Sequence, residues 1–78
     1  MKIKHLIKRI EKKDMFLIEM FLGDSFHTFI NKNQDENVNY KSLRKLLNKE
    51  FKDNYYYKNY KKTINNKMKE LFVLKKNN

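Results

Sequence analysis

Two imidazoles are present, His5 and His27, and the second closes the run Asp24-Ser25-Phe26-His27, which holds an acid, a hydroxyl and a base in order. On one helix, residues 25 and 27 stand about 200° apart in azimuth, so hydroxyl and imidazole cannot meet. No second base stands near, and two histidines so distant in the chain do not compose a metal site. The single glycine, Gly23, cannot build a phosphate-cradling loop. These residues read as non-enzymatic, with no catalytic group, metal or cofactor.

Spacing suits a different chemistry in the C-terminal half. Lys58, Lys61, Lys62, Asn65, Asn66 and Lys69 fall away from an apolar Tyr60–Ile64–Met68 stripe, and Lys41, Arg44 and Lys45 stand on the preceding predicted helix. Lysine and arginine in such positions neutralise phosphates, while the amides of Asn59, Asn65 or Asn66 suit an adenine edge. Tyr55, Tyr56, Tyr57 and Tyr60 are interleaved with Lys58 and Lys61, a pattern able to stack on unpaired bases. Three adjacent helical residues point in three directions. Tyr57 and Tyr60 are therefore assigned to the core, and Tyr55 and Tyr56 to a stacking or protein-interface role.

The charge is laid out in blocks. Residues 1–13 sum to +5, residues 14–37 to −4 and residues 38–78 to +9, giving a net charge of +10. Two basic arms thus flank an acidic, apolar middle, which points to a polyanion or an acidic protein surface as partner. Lysine outnumbers arginine 17 to 2 and alanine is absent, a bias that A/T-rich codons produce without selection for a ligand. Codon bias does not explain the blocks. With 78 residues and no cysteine, the chain is one small domain whose core is marginal without a staple, which makes a homo-oligomer a natural stabiliser.

Four helices are expected to position these groups, near 2–12, 15–31, 39–51 and 55–71. Ile3, Leu6, Ile7 and Ile10 form the first amphipathic stripe, suited to packing on a neighbouring helix or to lying on an anionic membrane, with packing preferred because the core is small. Asp14 is placed as the cap of the second helix. Met15, Ile18, Phe21, Leu22, Phe26, Phe29 and Ile30, widened by Leu17 and Met20, make that helix the buried centre, and Gly23 inside it permits a bend or a break. Asn31 to Asn37 reads as an exposed loop. Asn39 caps the next helix with Val38 stapled on Leu43, and Leu43, Leu46, Leu47 and Phe51 face inward. Asp53 or Asn54 caps the last helix. The run Leu71-Phe72-Val73-Leu74 fits either a final helical turn or a short β stub near residues 71–75. The fold class is therefore all-α, a single domain over residues 1–78 with three or four helices: a basic N-terminal helix 2–12, an apolar central helix 15–31 and a basic helical hairpin 39–71. The apolar run Met15–Leu22 is too short to span a bilayer and lacks a cleavage site, so no membrane insertion is expected and the chain reads as cytoplasmic.

Residues 38–76, with a capped Tyr40-Lys-Ser-Leu-Arg-Lys-Leu-Leu helix, a tight turn, a basic helix and the Leu71-Phe-Val-Leu run, resemble a helix-turn-helix domain of the winged-helix kind. The resemblance implies binding of duplex DNA more than RNA, with the last helix in the major groove and the preceding one bracing it. Size and composition look like those of short accessory proteins of phages and mobile elements. That likeness implies a regulatory nucleic-acid binder or, alternatively, an inhibitor that docks on a host protein such as a defence nuclease.

Overall fold

The computed structural model describes residues 1–73, which form five helices: α1 (Ile3–Ile7), α2 (Lys12–Leu22), α3 (Asp24–Asn33), α4 (Tyr40–Phe51) and α5 (Tyr55–Glu70). The all-α expectation holds, with five helices in place of three or four. α2 packs on α3 and α5, α4 packs on α5, and α1 packs on α3. The buried centre is Ile3, Leu6, Ile18, Leu22, Phe26, Phe29, Val38, Leu43, Leu47, Phe51, Tyr57, Ile64 and Met68, drawn from all five helices and, at Val38, from the segment before α4. Phe29 meets Phe51 at 5.6 Å between ring centroids, and Phe51 meets Tyr57 at 5.9 Å, a chain of rings joining α3, α4 and α5.

The first helix is shorter than the expected 2–12. Its opening N–H groups, which have no partner within the helix, donate to the loop after α3: Ile3 N to Glu36 O and Lys4 N to Gln34 O, both 3.0 Å. Lys2 and Asn37 form an isolated antiparallel bridge beside them. The loop thus anchors α1, and the chain turns after Ile7 so that the half-buried Ile10 reaches the end of α5. A continuous helix would carry Ile10 past that contact. Tertiary packing outweighs the local periodicity.

The restart displaces the expected cap. Glu11 occupies the N-cap position of α2 but its side chain makes no capping hydrogen bond, and Asp14 lies in the first turn, 3.2 Å from Lys67 of α5. A carboxylate there still meets the positive end of the helix dipole. Gly23 resolves into a break: its φ of 59° and ψ of −148° lie in a region open essentially to glycine alone, and it ends α2 while opening α3. Nothing lies within 4 Å of the place a Cβ would take, so backbone conformation and not space requires glycine. Across the corner, His27 and Glu19 are 2.6 Å apart.

Met20 lies opposite the buried Ile18 and Leu22 on α2, so it does not widen the core face as expected, and Phe16 on the same side is exposed with it. α4 starts as the sequence indicates. Asn39 Oδ1 accepts from Ser42 N at 2.8 Å, Ser42 Oγ accepts from Asn39 N at 2.9 Å, and both ends of the expected staple, Val38 before the cap and Leu43 four residues beyond it, are buried. Of the two candidates at the last helix, Asn54 supplies the cap, accepting from Tyr57 N at 2.9 Å. After α5, Leu71, Phe72 and Val73 donate to the carbonyls three residues back, a tightened final turn. No strand forms among 71–73, where no partner strand is at hand; the remainder of the expected stub, 74–75, lies outside the described residues.

Candidate functional site

α4 and α5 lie side by side because each presents a three-to-four-residue apolar stripe, Leu43, Leu47 and Phe51 on one and Tyr57, Ile64 and Met68 on the other. Their flanks enclose a shallow concavity of about 440 Å³, lined by Tyr40 and Arg44 from α4 and by Lys58, Asn59, Lys61, Lys62, Asn65 and Asn66 from α5. All but Tyr40 were expected as nucleic-acid contacts: Arg44, Lys58, Asn59, Lys61, Lys62, Asn65 and Asn66. No carboxylate lines the concavity, so all four ionised groups around it are cations. Unopposed like charges in one recess concentrate positive potential and favour an anionic ligand.

The recess is partly pre-set. The Arg44 guanidinium lies 5.5 Å from the centre of the Tyr40 ring, a cation–π contact that holds it over the groove. Lys61 Nζ donates to Asn48 Oδ1 at 2.8 Å, and Asn59 Nδ2 donates to Tyr55 O at 2.8 Å. Lys58 and Lys62 are exposed, one turn apart on the rim.

Asn65 departs from its expected role. It is only 8 % exposed, and its Oδ1 is buried without a hydrogen-bond partner, as is the hydroxyl of the neighbouring Tyr57. The amide lies beside the phenol without meeting hydrogen-bond geometry, so burial dominates and holds the Tyr57 phenol above the ordinary tyrosine value, the Asn65 contact offsetting part of the rise. Reading an adenine edge takes both a donor and an acceptor from one amide. With Oδ1 enclosed, Asn65 offers the groove a donor only, which suits phosphate. Asn66 stays exposed.

The remaining expected contacts are dispersed. Lys41 and Lys69 are exposed on α4 and α5 outside the recess, and Lys45 lines a separate depression with Glu36, Val38 and Lys49. Tyr55 and Tyr56 are exposed at the start of α5, ring against ring at 5.5 Å, and neither lines the concavity. Tyr60, assigned to the core, is instead at the surface: the backbone there leaves helical geometry (φ −118°, ψ 18°), and its ring stacks on Phe21 of α2 at 4.3 Å with 5° between planes. Tyr40 was missed as a site residue, although its spacing four residues before Arg44 is the signal for a stacked cation. Lys67 is taken up by Asp14, whose hydrogen bond raises its pKa. His27 bonds Glu19, not Ser25, and no three His, Cys, Asp or Glu side chains converge as metal ligands among the described residues.

No described helix is long and apolar enough to cross a membrane. No family model, no curated protein and no solved structure matches the chain.

Proposed function

We propose that this chain is a small non-enzymatic nucleic-acid-binding protein that holds a phosphate backbone in the concavity between α4 and α5. The observation that carries the reading is the set of four cations, Arg44, Lys58, Lys61 and Lys62, around a recess that no carboxylate enters. Phosphate contacts supply most of such affinity and fix register, with little information about sequence. In the helix-turn-helix reading, α5 lies along a groove of duplex DNA and α4 braces it, with the exposed Asn66 as the residue available to a base edge. Lys69 and Lys41, exposed on α5 and α4 outside the recess, add positive charge to the same two helices. A regulatory or accessory role, of the kind small phage and mobile-element proteins perform, fits a binder of this size.

Titration of labelled random duplex and single-stranded DNA across salt concentrations tests the reading. Neutralising about five phosphates gives a slope of log affinity against log salt near −4 to −5. Replacing Lys58 and Lys62 together by alanine reduces that slope by about two and weakens all sequences alike. Absent or salt-independent binding overturns the proposal. Capture of a host protein that survives nuclease treatment favours the alternative, docking on an acidic protein surface.

A further inference from the structure

The charged groove leaves another surface unexplained. On α2 the buried Ile18 and Leu22 face the core, and Phe16 and Met20, one turn apart, face the opposite way, 67 % and 61 % exposed. Leu17, half-buried, lies between them and Phe21, which stacks on Tyr60. Tyr60 is 43 % exposed, and Tyr56, one turn before it on α5, is 50 % exposed. Helical spacing and the Phe21–Tyr60 stack make these six residues one apolar and aromatic face. Tyr56 and Tyr60 are each two residues from Lys58, so the face lies roughly on the far side of α5 from the basic groove.

We propose that this face is the interface of a homodimer, with α2 packed antiparallel on α2 of a second copy. Three observations select a second copy. First, large side chains of this kind present 150–250 Å² each when open, so the exposed fractions amount to roughly 500 Å² per copy and about 1,000 Å² for the pair, which reaches the lower bound of specific interfaces and is near the top of what a monomer leaves open. Second, Asp14 to Asn31 contains no lysine or arginine, so this is where two chains of charge +10 approach with least repulsion. Third, the helix is self-complementary. A two-fold axis level with Ile18 sets Phe16 against Met20 of the second copy, and Met20 against its Phe16, a sulfur–aromatic contact made twice.

Sedimentation or light scattering of the full chain, freed of nucleic acid by nuclease treatment, reads the mass against concentration. The expected result is a reversible rise from 9.7 kDa to twice that, with a dissociation constant of about 1–100 μM at moderate salt, as so small an interface implies. Phe16→Glu and Met20→Glu each weaken the dimer at least about tenfold while the helical circular dichroism is unchanged, since neither side chain is in the core. Lys62→Glu, on the other face of α5, does not weaken it. A chain that stays monomeric up to about 500 μM overturns the proposal and leaves the face to a different partner. A dimer that survives both glutamate substitutions overturns it as well. Because nucleic acid is absent, these outcomes are separate from those that decide the groove reading.

Discussion

Tyr57 and Asn65 are the residues where interior and site meet. The phenol fills the junction of α4 and α5, and its hydroxyl is carried into the core without a hydrogen bond. A buried polar group left unpaired costs stability, so Tyr57→Phe is expected to leave stability at pH 7 unchanged or raise it by up to about 1 kcal/mol, measured by urea unfolding. The same substitution has a pH signature. Burial raises the pKa of the folded phenol, so the folded state favours the neutral form. The stability this supports is complete below the ordinary tyrosine pKa of about 10 and is lost as pH rises beyond it, where the unfolded chain ionises first. Native protein therefore loses stability above about pH 10 more steeply than the Tyr57→Phe variant; parallel curves would show that Tyr57 is not the group concerned. At the opposite end of the scale, Lys4 at 3.1 Å holds the exposed Asp35 carboxyl below its usual range, an ion pair at the surface that screening leaves weak.

Among the elements, the α2–α3 corner is the one a single atom can break. Gly23 sits at a backbone conformation that a Cβ disfavours even though space for it exists. Gly23→Ala is expected to lower stability by about 1–3 kcal/mol, read as a fall in the urea midpoint with an unchanged slope. A loss near zero would mean that the corner relaxes to another conformation. The break matters to the rest of the chain because it starts α3 in a new direction, with Phe26 and Phe29 buried in the core. The irregular turn at Tyr60 acts similarly on α5, letting Tyr57 and Ile64 remain buried while the Tyr60 ring leaves the core to lie flat on Phe21.

On the scale of the whole molecule, an excess of ten positive charges works against compactness. The described ion pairs, Lys4–Asp35, Lys32–Glu50 and Lys67–Asp14 with the His27–Glu19 contact, employ few of the lysines. Self-repulsion of the remainder is relieved by counterions. The melting temperature is accordingly expected to rise when sodium chloride is raised from about 20 mM to about 500 mM, measured by circular dichroism. A melting temperature that falls would mean that the surface pairs outweigh the repulsion. A polyanion bound in the proposed α4–α5 groove would relieve the same strain locally, and a second copy on the α2 face, as proposed, would cover apolar area that a core of this size cannot enclose.

Local signals settled what local physics controls. The start of α4 was legible because cap, staple and stripe all lie within residues 38–51, and Leu43, Leu47 and Ile64 took the positions that periodicity assigned. The cationic flank was likewise legible, since Lys58 and Lys62 share a face by spacing alone. Tertiary structure decided the rest. The start of α1 is held by loop carbonyls about thirty residues away, and Asp14 went to Lys67 in place of a cap because α5 packs beside it. Asn65 was enclosed beside Tyr57 because α4 closes over it, and Tyr60 was drawn out by Phe21, a residue 39 positions earlier. Periodicity reports which side of a helix is apolar; only packing determines which neighbour meets that side and how much water it excludes.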